Sequence, residues 1–83
     1  MLLYFSTGPP LHCPSIGYCF HKNQSQDRRT NVYSWRQCLG SCQSHWSCQT
    51  WTYMEQTNTC YLFTKRSVPM YEGWGCISGH FNC

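Results

Sequence analysis

The stretch Ser34-Trp35-Arg36-Gln37-Cys38-Leu39-Gly40-Ser41-Cys42 decides the fold, together with Cys48-Gln49-Thr50-Trp51-Thr52-Tyr53-Met54 and Thr59-Cys60-Tyr61-Leu62-Phe63-Thr64 that follow it. Ser34 with Gln37 three residues on is the pattern of a capping box. The serine hydroxyl accepts from the Gln37 backbone N–H, and the Gln37 amide answers the Ser34 N–H. Losing such a cap costs about 1 kcal/mol. A helix is predicted from Trp35 to Gln43. Trp35, Cys38, Leu39 and Cys42 fall at the spacing of one helical face. Their burial offsets Gly40, which costs roughly 1 kcal/mol relative to alanine. The Cys48–Met54 segment is rich in β-branched and aromatic residues, as strands are. Trp51 and Tyr53 share one face of it and Thr50 and Thr52 the other. Trp51 and Tyr53 are assigned to structure. Glu55 to Asn58 is a polar turn, and Thr59 to Thr64 a second strand with Cys60 and Leu62 on one face. Strand, short polar link and strand read as a hairpin.

Working outward from this core, Ile16 to His21 has weak strand character. Lys22 to Asn31 is polar throughout and reads as an exposed loop. Lys65 to Gly75, with Pro69 and two glycines, reads as a long loop, and Cys76 to Ser78 as a short last strand. One helix with several antiparallel strands is an α+β module. Met1 to His12, with Gly8-Pro9-Pro10, reads as a leader or linker, so the domain is expected over residues 13–83.

The 83 residues suffice for one domain. A chain this short buries only about 60–65% of the surface its unfolded form exposes, so its core needs reinforcement. Eight cysteines supply it. At this length they read as a disulfide scaffold, which places the protein in an oxidising, secreted or extracellular setting (or a secretory-organelle lumen). The count alone selects none of the 105 possible connectivities. Cys38 and Cys42 sit four apart on the helix, with Cβ atoms about 5–6 Å apart. A disulfide needs roughly 3.5–4.5 Å, so both reach off the helix. Five residues between Cys42 and Cys48 can close a tight loop. Cys38, one turn earlier, is set to reach Cys60 in the hairpin. Cys13 and Cys83 bracket the domain, and pairing them would join its ends. Cys19 and Cys76 then remain, paired by elimination.

Ser34-x3-Cys38-x3-Cys42-x5-Cys48-x2-Trp51-Thr52-Tyr53-x6-Cys60-Tyr61-Leu62, with Gly75-x2-Ser78-Gly79-x3-Cys83 after it, resembles the PAN/apple family. It looks closest to the apple domains of apicomplexan micronemal adhesins. The resemblance covers about Cys13 to Cys83. It implies a curved antiparallel sheet cradling one α-helix. It also implies first-to-last, second-to-fifth and third-to-fourth pairing, here Cys13–Cys83, Cys38–Cys60 and Cys42–Cys48. Cys19 and Cys76 lie outside the family's six-cysteine core. The family's Gly-x-Asp-Leu stretch is missing, and Asn23 to Arg29 stands in its place.

Other classes of function find little support in the residues. The net charge of +3 comes from scattered residues, with Arg28-Arg29 and Lys65-Arg66 as short pairs rather than the dense basic stripe of a nucleic-acid binder. The longest apolar run, Leu2 to Phe5, is far below the roughly 20 residues of a membrane-crossing helix, and it lacks the charged lead of a signal peptide. A fragment or one module of a longer or tandem-domain protein is therefore expected. The cysteines lack the paired close knuckles of a structural zinc site, so no metal or other cofactor is expected. His12, His21, His45 and His80 read as surface or packing residues. Asp27, Glu55 and Glu72 are far apart in sequence and show no carboxylate pair for glycoside chemistry. A catalytic cysteine would need a free thiol, and pairing consumes all eight. The chain reads as a binder, not an enzyme.

Four Trp, six Tyr and four Phe exceed what so small a core takes up. Lys65, Arg66, Tyr71 and Trp74, with Glu72 among them, are the candidate ligand-binding residues, on a segment read as exposed loop. Trp46, between helix and strand, suits either packing or binding. Asn23-Gln24-Ser25 is an acceptor pattern for N-glycosylation at Asn23. The expected function is adhesion or lectin-like recognition of a glycan or an extracellular or cell-surface protein. A structural module assembling a larger secreted protein and a free-standing cysteine-rich effector are the alternatives.

Overall fold

The computed structural model describes residues 13–65 and 70–83. The leader expected over residues 1–12 lies outside them. The described chain runs β1 (Ser15–Phe20), a 3-10 turn (Lys22–Gln24), β2 (Asp27–Arg29), α1 (Trp35–Ser44), β3 (Thr50–Met54), β4 (Thr59–Phe63) and β5 (Met70–His80). The strands form one antiparallel sheet in the order β1-β5-β3-β4-β2. This is the disulfide-rich α+β module with one helix on its sheet.

Helix α1 begins where Ser34 Oγ accepts the Gln37 N–H at 3.2 Å. The reciprocal half of the cap differs from expectation: Gln37 Oε1 takes the N–H of Tyr33, at 2.8 Å, instead of that of Ser34. The helix runs one residue further than predicted, to Ser44. Its buried face carries Cys38 and Cys42 onto the sheet. There Trp51, fully buried, stacks on Trp35 with ring centroids 6.0 Å apart, and Tyr53, Cys60, Leu62 and Ile77 complete the core. The Trp51 indole N–H donates to the His80 carbonyl at 3.1 Å, and the Tyr53 hydroxyl donates to the Val32 carbonyl at 2.9 Å. Both aromatic residues therefore bury their polar atoms with partners. A Cβ at position 79 would lie 2.7 Å from Trp51 Cζ2 and 2.8 Å from Cys83 Sγ, so glycine is what lets Trp51 and the last cysteine close over β5.

Two segments read as loops are strands. Asp27–Arg29 lies in the stretch read as an exposed loop, yet it pairs with β4, Asp27 opposite Leu62 and Arg29 opposite Cys60. An edge strand with little to bury shows no alternation of apolar and polar residues, which hid it. The long loop expected from Lys65 to Gly75 is β-structure from Met70 onward, and the short last strand is the end of an eleven-residue β5. Glycines 73 and 75 read as breakers but sit inside the strand, at a wide irregularity. On β1, Ile16 pairs with Ile77 and Tyr18 pairs with Glu72, so residues 73–76 of β5 bulge out opposite Gly17 alone. Gly17 and Gly75 have φ of 86° and 81°, values that side-chain-bearing residues rarely adopt.

The bulge folds the sheet back on itself. Beyond it, β1 and the start of β5 lie across the face opposite the helix. Phe20 packs edge-on against Phe63 with centroids 5.6 Å apart, and Met70 and Tyr61 join them in a second small cluster. Four disulfides fasten the whole: Cys13–Cys83, Cys19–Cys76, Cys38–Cys60 and Cys42–Cys48. Cys38–Cys60 and Cys42–Cys48 tie the helix to β4 and to the segment entering β3. Cys19–Cys76 ties the folded-back ribbon to the bulge, and Gly73 leaves room for the Cys19 sulfur beside it.

Candidate functional site

The β5 bulge opens a cleft of about 660 Å³. One wall is Ile16 and Gly17 from β1. A second is Glu72, Gly73 and Trp74 from β5. The third is the β3–β4 turn, through Glu55 and Gln56. The turn is docked by its backbone, since the Glu55 N–H donates to the Gly75 carbonyl at 2.9 Å. The Gln56 side chain lies over Gly75, with Cγ 3.5 Å from where a Cβ would stand. Cys76, bonded to Cys19, also lines it.

The cleft has an apolar lip. Trp74 is 84% exposed and Ile16 is 73% exposed. Indole and sec-butyl groups so open to water form a contact surface and retain apolar area that a ligand can cover. The polar groups beside them are carboxylates and an amide. Glu55 and Glu72 make no ion pair among the described residues; Asp27, the third acidic side chain, is held by Arg29 and lies 3.5 Å from His45 Nε2. The hydrogen bond from Arg29 and the Arg28 N–H hold the Asp27 carboxyl below its usual range. Behind the cleft, burial pushes the Tyr53 phenol up, and the nearby Glu55 charge adds to the rise. Tyr53 is thus a neutral hydrogen-bond donor of the core.

Of the ligand-binding residues expected from the sequence, Trp74 lines this cleft. Tyr71 precedes it on β5, opposite Cys19, half exposed and packed on His21 with centroids 4.6 Å apart. Lys65 is exposed just past β4, its carbonyl accepting from Thr50 Oγ1 at 3.4 Å, and is not part of the cleft wall. Arg66 lies outside the described residues. Ile16, Glu55 and Gln56 come to the cleft from elements that sequence reading kept apart. In the sequence the bulge is marked by glycines, Gly17 on β1 and Gly73 and Gly75 on β5. Trp46 is 92% exposed at the end of α1, stacked on His45, away from the cleft walls. Asn23 is exposed on the 3-10 turn, where the Ser25 hydroxyl donates to the Lys22 carbonyl at 2.7 Å. Among the described residues no helix is long and apolar enough to cross a membrane.

The one-helix, five-strand architecture and its disulfides can be set beside known families. The family model of the PAN domain matches residues 14–80. The chain belongs to the PAN domain family. The matched span starts just before β1, ends with the last residue of β5, and takes in the helix, every strand and the whole cleft. PAN domains are interaction modules that bind protein or carbohydrate and are generally non-catalytic. Comparison with curated proteins gives no match. Within this PAN domain, the cleft is framed by the β5 bulge, β1 and the β3–β4 turn.

Proposed function

We propose that this PAN domain is a non-catalytic, extracellular recognition module over residues 13–83, and that it takes a glycan or protein ligand at the Trp74 cleft. The carrying observation is a tryptophan 84% exposed on a covalently anchored strand, beside a cleft with acceptor side chains. A large apolar ring with only two side-chain torsions loses little conformational freedom when a ligand covers it. The disulfide frame suits the oxidising compartment in which such modules work. Weak single-site binding is raised where copies occur in tandem. The exposed Asn23 turn is proposed as a glycan acceptor, on a part of the surface separate from the cleft.

The test uses the oxidised chain, labelled at its N-terminus, on an array of glycans and against a panel of extracellular proteins. Saturable binding to a glycan or a protein, lost in Trp74→Ala, supports the reading. Saturable binding that survives Trp74→Ala and Ile16→Ser unchanged overturns the assignment of the cleft. Expression in a glycosylating host adds one N-glycan, absent from Asn23→Gln, if Asn23 is an acceptor.

A further inference from the structure

The sign of the charge changes at the cleft. The chain carries six basic and three acidic residues. One acid, Asp27, is neutralised by Arg29. The two others, Glu55 and Glu72, stand 17 positions apart in sequence. The fold nonetheless brings both to one cleft, where they line it with Trp74 and Ile16 and have no cation against them among the described residues. Among the described residues no basic side chain lines that cleft. On a positively charged protein this is a local reversal of field, set beside an exposed aromatic face.

We infer that the cleft receives a cationic side chain, lysine or arginine, presented by a protein partner. This rests on the cleft being the recognition site, and it names the chemistry that the site selects. The parts match a long basic side chain: carboxylates for the charged head, the Trp74 face for a cation–π contact, and Ile16 for the aliphatic stem. Gln56 adds a neutral oxygen acceptor for the remaining N–H groups. The same carboxylates repel sulfated and sialylated glycans, which carry the opposite charge from the one the cleft calls for.

The experiment titrates the ¹⁵N-labelled, oxidised chain with Nα-acetyl-lysine methylamide, Nα-acetyl-arginine methylamide and, as the uncharged analogue that keeps the lysine stem without its amine, Nα-acetyl-norleucine methylamide. Neutral methyl galactoside and methyl glucoside form a separate arm. The expected result is saturable shifts of the Trp74 indole and the Gly73 and Gly75 amides with both cationic probes. The norleucine probe binds roughly tenfold or more weakly, in line with removal of a charge-assisted contact. Glu55→Gln/Glu72→Gln, with its amide spectrum otherwise unchanged, brings the cationic probes down to the norleucine level. Raising salt from about 0.02 M to about 0.5 M weakens the cationic probes alone. Equal binding of norleucine, or full affinity in the double variant, overturns the inference. Shifts at Trp74 with neutral sugars and none with cationic probes also overturn it, while leaving the recognition cleft standing. Silence from every probe at these signals counts against the cleft itself.

Discussion

Replacing Thr52 by valine tests how the β1 ribbon is held over the sheet. Thr52 and Ser78 face each other across β3 and β5, both fully buried, with hydroxyl oxygens 2.7 Å apart. The Tyr18 carbonyl can only accept, so Ser78 donates to it, at 2.6 Å. Ser78 then accepts from Thr52, and Thr52 accepts the Phe20 N–H at 3.0 Å. A single direction of donation thus satisfies every group in the chain. The backbone groups it satisfies flank Cys19 and hold the ribbon that continues from the cleft's β1 wall. Valine keeps the shape nearly unchanged and removes the oxygen. The Phe20 N–H is left buried without an acceptor, and such an orphan costs about 1–3 kcal/mol. The expected loss is about 2 kcal/mol in urea unfolding of the oxidised chain, followed by far-ultraviolet circular dichroism. Ser78→Ala strands the Tyr18 carbonyl and the Thr52 hydroxyl, with a loss of similar size. The double variant should fall short of the sum by about 1 kcal/mol, because both singles remove the same hydroxyl–hydroxyl bond. A Thr52→Val protein within about 0.5 kcal/mol of the parent, or strict additivity, would refute the chain of donation.

Removing Cys42–Cys48 with paired alanines frees a loop of sequence separation 6, for an expected loss of about 2 kcal/mol in the same assay. Removing Cys19–Cys76, separation 57, should cost about 3 kcal/mol and not the roughly 4 kcal/mol of an isolated loop, because Cys13–Cys83 already brings the two ends close. Gly79→Ala drives a methyl into the Trp51 ring, which cannot retreat, for a loss of about 1–3 kcal/mol and a changed Trp51 near-ultraviolet signal. Asp27 has its carboxyl lowered from 3.8 in the folded chain, chiefly by Arg29 and then by the Arg28 N–H. Its contribution to stability is therefore full above its unfolded value and lost as pH falls through the lower folded one. A carbon-detected titration should place its midpoint under 3.8, and in Asp27→Asn the acid-side fall in stability should be shallower.

The helix and the central hairpin were legible because local chemistry and burial agree there. Ser34 caps, the cysteines share a helical face, and Trp51 and Tyr53 alternate onto that helix. Legibility failed where tertiary pairing overrides local composition. Asp27-Arg28-Arg29 is polar and looks like loop, yet the β4 edge recruits its backbone. Gly73 and Gly75 look like punctuation, yet one makes room for a disulfide sulfur and the other takes a left-handed turn within a strand. The cleft was invisible for the same reason. Trp74 stood out as an aromatic, but its neighbours Ile16, Glu55 and Gln56 arrive from β1 and from the β3–β4 turn through pairings that no local pattern encodes.

Disulfides close the ribbon over the sheet, with Cys19–Cys76 beside the bulge that shapes the cleft. Partial reduction and stepwise alkylation of the native oxidised protein, read by tandem mass spectrometry of non-reduced peptides, tests it directly. The expected pairs are Cys13–Cys83, Cys19–Cys76, Cys38–Cys60 and Cys42–Cys48, with no free thiol. Cys19 or Cys76 recovered free, or joined to any other cysteine, would contradict it.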